Sequence, residues 1–456
     1  MAALLHDIGH LPFSHTLEDE NEVIQTKHDK EERLNEVLDA IKTEVSPKTK
    51  EAIDLAKPIL LGIADKVDAN RDWRSDLVGN TVCADLLAYI TTDAAWTGIE
   101  KRPGYYRIYD YLVRREKTFE SAGSKVRMCI ELTKGGLRTD VVSAILDLLD
   151  MRYALYERVT FHHAKAVASA MLARAARLVN LSFEKELLRL GDEGFLNWLE
   201  MRAINQKNES GEGASRLLKS LRARRLYKRF FKIQRDARDN WERGNGNKVF
   251  CKKWRTSADV EELLCSVEDQ YSLPRGSLVL WCPEGKSGMK LVKANVTWEQ
   301  VGKWHNPVQL RSEEVEEQYP GVHKRVQTIE EQYKDLWVFW VAMDSQYISI
   351  APGVIDALED RIGVDCDETF KQSYASGHVA DFGKAEEAFA AADQTWRREF
   401  KPKVGPMIRD LAARGEGKVT GAVIRDAIQS VVTAQSKKAE KNDAKRNAKE
   451  DQPALL

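Results

Sequence analysis

Paired cysteines are what this chain most obviously lacks. Its six (Cys83, Cys129, Cys251, Cys265, Cys282 and Cys366) are scattered and form no CxxC spacing. That excludes a thiolate zinc finger and a disulfide framework, and reduced thiols of a cytoplasmic protein are expected. Long apolar runs are missing as well. The longest strongly apolar stretch, Leu336 to Met343, is far shorter than the ~20 residues a membrane helix needs, so no membrane association is expected. Charge of one sign is not in excess: the formal net charge is -1, which leaves recognition of anions to local clusters. A P-loop is excluded too, because Gly285-Lys286-Ser287 has Leu280 where the motif's first glycine belongs. No internal repeat is found.

What is present begins with helical periodicity. Residues 1 to about 200 read as helices, with Val141, Val142, Ile145, Leu148 and Leu149 recurring at a period near 3.6 and an alanine-rich run from Ala164 to Val179. Gly9 and Pro12 stop the first helix just after His6-Asp7. Residues 207 to 215 read as a Gly/Ser-rich break. The stretch Arg216 to Arg235, with nine Lys or Arg and no acid, reads as one amphipathic helix. Its cations suit either a solvated face or a surface for nucleic acid or an allosteric nucleotide. Short β-branched and aromatic runs at Leu278 to Trp281, Met289 to Val296 and Leu336 to Val341 predict a small mixed module.

The expected fold is mainly α: a helical domain over 1–206, a helical connector over 216–276, a smaller α+β module over 277–350, a helical region over 351–435 and a disordered tail over 436–456. At 456 residues the chain has room for several such parts.

The segment AALLHDIGHLPFSH, Ala2 to His15, places three histidines and one aspartate within ten residues. A neutral imidazole beside a carboxylate suits a divalent ion, whether Mn, Mg, Co, Fe or Zn. Such an ion can make hydroxide available near neutral pH. Asp85 stands in the apolar run Ala84 to Ala88, where an unpaired buried carboxylate would cost several kcal/mol. Asp85, Tyr89 and Asp93 share one helical face at offsets of four and eight.

HDIGHLPFSH resembles the HD motif of deoxynucleoside triphosphate triphosphohydrolases, a branch of the HD superfamily of metal-dependent phosphohydrolases. The resemblance spans roughly residues 1 to 345, closely at the motifs and loosely between them. It implies a helical HD fold, a homo-oligomer, and hydrolysis of a dNTP to deoxynucleoside and triphosphate. It also implies roles: metal binding by His6, Asp7 and Asp85; phosphate contact by His10; protonation of the leaving oxygen by His15 or His28, with Glu18 orienting His15. Tyr89 and Asp93 are implied to contact the sugar, and Arg152 and Tyr156 to close over triphosphate and base. For several of these a plainer role competes: His28 lies in a charged stretch, Arg152 suits a surface salt bridge, and His162-His163 suit packing or capping.

The sequence departs from that family at one ligand. The family's further histidine, on a helix before the HD pair, is not among these residues, which admits a truncation, a ligand from another residue or chain, or lost catalysis. Two other readings therefore stand beside the first: an HD-type phosphodiesterase or nuclease, favoured by the basic stretch, and a non-catalytic regulatory protein on the same scaffold.

Overall fold

The apolar periodicity of Thr139–Leu155 does build the helix around which one of the main cores forms. A computed structural model describes residues 1–62, 73–79, 82–99, 106–119, 123–234, 246–283 and 294–375. Within it, residues 1–375 cluster as one unit. The expected tail at 436–456, most of the 351–435 region, and the Gly285-Lys286-Ser287 segment lie outside the described residues. No helix among the described residues is long and apolar enough to cross a membrane.

The principal helices, in chain order, are α1 Ala2–Leu5, α2 Glu31–Glu44, α3 Pro47–Leu60, α4 Ala84–Thr97, α5 Thr139–Leu155, α6 His163–Leu178, α7 Asp192–Gln206, α8 Glu209–Arg222, α9 Ser257–Gln270, α10 Pro320–Asp335, α11 Ala351–Ile362 and α12 Glu368–Ala375. The principal strands are β1 Leu112–Phe119, β2 Gly123–Glu131, β3 Lys228–Gln234, β4 Leu278–Trp281, β5 Asn295–Thr297, β6 Val308–Gln309 and β7 Val338–Met343. The chain is mainly α, with a smaller α+β module.

Two sheets organise the strands. One runs β1-β2-β5-β6, where the long antiparallel hairpin β1/β2 meets β5 in parallel at Ile130 and Val296. The other runs β3-β7-β4, all antiparallel. Three main cores follow. α4 and α5 pack with β2, β5 and α10. The loop residues Leu11, Leu17 and Ile24 pack on α6, which meets α7, α8, β4 and β7. β3, β4 and β7 pack against α9 and α11. α6 is well suited to its central place, because Ala166, Ala170, Ala173, Ala175 and Ala176 are all buried and admit close neighbours. At about 25 cal/mol per Å2 of apolar surface, these cores hold the loop from His10 to Ile24 against α6.

The fold departs from the sequence expectation in three places. The first 200 residues are not all helical, since β1 and β2 interrupt them. The stretch Arg216–Arg235 is not one helix: α8 ends at Arg222, and a strand begins at Lys228. The Gly/Ser-rich break of 207–215 is confined to Lys207 and Asn208, since α8 begins at Glu209. Asn208 caps α8 by accepting from the Gly211 amide at 2.9 Å, and the glycines serve close packing. A Cβ on Gly211 would stand 2.4 Å from the Ala203 carbonyl oxygen, and one on Gly213 would stand 2.5 Å from that of Arg275.

Candidate metal and phosphate site

The helix α1 stops at Leu5, one residue before the His-Asp pair, and the chain turns through residues 6–9. His6 Nδ1 donates to the Ala3 carbonyl at 2.9 Å, which leaves the lone pair of the neutral ring on Nε2. That atom is buried and has no hydrogen-bond partner, yet it lies 3.1 Å from Asp7 Oδ2 and 3.2 Å from Asp85 Oδ1. Three electron-rich atoms thus face one another, an arrangement that a cation between them would satisfy. The spacing fits: donors about 2.0–2.2 Å from a common ion stand roughly 3.0–3.6 Å apart. Asp85 comes from the first turn of α4, so residues distant in sequence meet at this point.

A second group stands beside the first. His10 Nε2 is 3.4 Å from Asp7 Oδ1, and this interaction holds the Asp7 carboxyl below its ordinary range against the effect of burial. The His10 ring stacks on His28 with centroids 3.7 Å apart, and His15 lies edge-on to both. Gly9 makes this approach feasible, because a Cβ there would stand 2.6 Å from the His28 carbonyl oxygen. The turn between His10 and His15 carries strain: Phe13 and Ser14 have φ of 62° and 46°. A left-handed phenylalanine costs on the order of 1–3 kcal/mol. It is held by Asp192, which accepts from the Phe13 amide at 2.9 Å, and by the ring of Phe195.

The orientation of the histidines differs from the sequence expectation. Residues Thr16–Glu20 form a π-helical turn, and it is Asp19, not Glu18, that pairs with His15, at 2.6 Å from Nδ1. Lys27 also donates to Asp19, at 2.6 Å. These bonds hold the Asp19 carboxyl well below its usual range despite burial, and the Asp19 hydrogen bond raises the His15 pKa. Glu18 turns inward instead. It accepts from the His28 backbone amide at 2.9 Å and from His28 Nδ1 at 3.2 Å, and its other oxygen pairs with Arg33. Burial pushes the Glu18 carboxyl up, but the His28 hydrogen bond and the Arg33 charge prevail and keep it lowered. His28 is therefore no solvated surface residue.

Tyr89 and Asp93 follow Asp85 on the same face of α4. Tyr89 is half-buried, with its hydroxyl pKa raised by burial, whereas Asp93 is exposed. Arg152, near the end of α5, is 6% exposed and makes no ion pair with a carboxylate among the described residues. The surface salt bridge that competed for it is absent. Its guanidinium lies 5.5 Å from the Tyr156 ring centroid, and its Nε has no hydrogen-bond partner. Tyr333 of α10, whose buried hydroxyl is also unpartnered, and Tyr89 complete the surroundings. A buried cation without a carboxylate partner is costly, and an anion placed beside these tyrosines would offset that cost. His162 caps α6 by accepting from Ala164 N at 3.3 Å.

Asp19, Arg33 and Tyr333 were not anticipated. The i, i+4 spacing from His15 could have suggested Asp19, whereas Arg33 and Tyr333 carry no local signal.

No family model matches this chain. It is 30% identical over 223 residues to an uncharacterized protein of Methanocaldococcus jannaschii. That match covers 46% of this chain and 42% of the relative, so the chain spans less than half the length of that relative. Among solved structures, a phosphohydrolase from Bacteroides thetaiotaomicron is similar at TM-score 0.46 and 18% identity, over 75% of this chain and 78% of that one. No inference rests on so loose a likeness.

Proposed function

We propose that this chain is a metal-dependent phosphohydrolase that cleaves dNTPs to deoxynucleoside and triphosphate. The observation that carries the reading is the unpartnered His6 Nε2 held between the carboxylates of Asp7 and Asp85, with oriented histidines beside it. A divalent cation bound there would supply Lewis acidity and a nucleophile from water near neutral pH. His28 is the better placed general acid. Its Nδ1 is committed to Glu18, so Nε2 is the nitrogen that can carry a proton to the departing 5′-oxygen. His15 and Asp19 form a second such dyad at the exposed rim. His10 donates to a phosphate oxygen, and Arg152 neutralises triphosphate charge, for which it has no internal carboxylate partner. Tyr89 and Asp93 contact the sugar, and Tyr156 lies beside Arg152 toward the base.

The test is incubation with each dNTP in the presence of Mn, Mg or Co, followed by analysis for inorganic triphosphate. Release that is lost in Asp7→Ala and Asp85→Ala supports the proposal. Hydrolysis of none of the four would remove it.

One observation favours a second reading, a phosphodiester in nucleic acid. A groove of about 460 Å3 beside α8 is lined by Lys207, Arg216, Lys219 and Arg225 together with one acid, Glu212, and none of the four cations makes an ion pair among the described residues. Cleavage of oligonucleotides without dNTP turnover would select that reading.

A further inference from the structure

Arg33 occupies the first turn of α2, in a run of charged residues, yet it is only 1% exposed. Its Nη1 pairs with Glu18 Oε1 and approaches the Gly9 carbonyl at 3.4 Å. The guanidinium lies over the Phe183 ring, 4.8 Å from its centroid, which fixes its plane from the other side. Glu18 itself has no accessible surface. Each of its oxygens has a separate duty: Oε1 faces Arg33, and Oε2 receives both the amide and the ring Nδ1 of His28.

A buried ion pair of this kind contributes little net stability compared with apolar residues of the same volume. Its specific effect is geometric. With Oε1 drawn to Arg33, Oε2 can only face His28, and the Nδ1–H tautomer of that ring follows. The Gly9 contact ties the same guanidinium to the turn that carries His6 and Asp7.

We propose that Arg33 is a positioning residue of this site, holding Glu18 in the one orientation that presents His28 Nε2 to the reacting group. The consequence for turnover rests on the phosphohydrolase reading; the geometric role does not.

The experiment uses the full chain as wild type, Arg33→Met, Arg33→Lys and Glu18→Gln, with two readouts. In 15N-histidine NMR, wild-type His28 is expected as the Nδ1–H tautomer, and that signature is lost in R33M and E18Q. In steady-state assays with Mn and the dNTP that the wild type turns over fastest, R33M loses about 100-fold in kcat, a general acid's contribution. KM and bound metal stay within about twofold, since neither substrate nor metal is touched, and R33K recovers part of the rate. A merely structural role would reduce folded protein and metal content together.

An R33M protein that keeps the Nδ1–H signature, or that loses less than about threefold in kcat, overturns the proposal. Should R33M fail to fold, R33K decides: wild-type tautomer and rate overturn it, and a mixed tautomer with a reduced rate supports it. If the wild type hydrolyses no phosphate ester, the functional reading fails while the NMR comparison still decides the role of Arg33.

Discussion

The carboxylate of Glu18 receives both the backbone amide and the ring Nδ1 of His28, at 2.9 and 3.2 Å, from a position with no solvent exposure. A histidine held in this way has one nitrogen committed and one available, which is the requirement for directional proton transfer. The other parts of the site show comparable commitment, and each yields an expectation.

Arg152→Met removes a buried cation that has no carboxylate partner among the described residues. Its folding stability is expected within about 1 kcal/mol of wild type, or above it, because no opposite charge is orphaned. The KM for dNTP should rise roughly 10- to 100-fold with the loss of a charged hydrogen bond to phosphate. Urea unfolding and initial rates measure the two effects, and a large loss of stability would show that the guanidinium serves the fold instead.

Gly9→Ala forces a Cβ toward the His28 carbonyl oxygen, to 2.6 Å unless the backbone moves. A destabilisation of about 1–3 kcal/mol is expected, as for overpacking elsewhere. The stacking of His10 on His28 should also be lost. Thermal unfolding checks the first expectation and histidine NMR shifts the second.

The His15–Asp19 pair predicts a window of pH. Asp19 is lowered from its ordinary 3.8, so its contribution to stability is present above that value and is lost as pH falls. His15 is raised from 6.5, so its contribution is present below 6.5 and is lost as pH rises past the raised value. Asp19→Asn should therefore cost most between about pH 4 and 6.5, and less at pH 9. Because His15 is 56% exposed, the cost should be only roughly 0.5–1 kcal/mol. Urea midpoints across this range test it, and a cost that does not vary with pH would count against the pairing.

Much of the candidate cluster is legible in sequence because its parts are local. His6, Asp7, His10 and His15 crowd one segment, and Asp85, Tyr89 and Asp93 fall at helical offsets on α4. The pairing of acids with histidines could not be read that way. At the π-helical turn Thr16–Glu20, Asp19 meets His15 and Glu18 faces inward to His28, whereas the family resemblance implied Glu18 as the partner of His15. Arg33 stands in a run of charged residues, and only the tertiary packing of α2 turns it inward. Tyr333 is 181 positions from Arg152 in sequence.

The misread strand β3 has a similar physical cause. Phe230 and Phe231 are both fully buried because the register shifts between Arg229 and Phe231. A bulge breaks the alternation by which a strand is recognised, and the surrounding cations then read as the polar face of a helix. Among its described side chains the β1/β2 hairpin is mostly half-exposed and charged, with burial confined to Cys129 and Ile130 at one end. It therefore shows little apolar alternation to detect.

The most direct measurement is an anomalous difference map from crystals grown with Mn2+, collected at the manganese edge. One strong peak is expected about 2.0–2.3 Å from His6 Nε2 and from carboxylate oxygens of Asp7 and Asp85, absent in Asp85→Ala. Crystals of folded protein in saturating Mn2+ with no peak between those three side chains would contradict it.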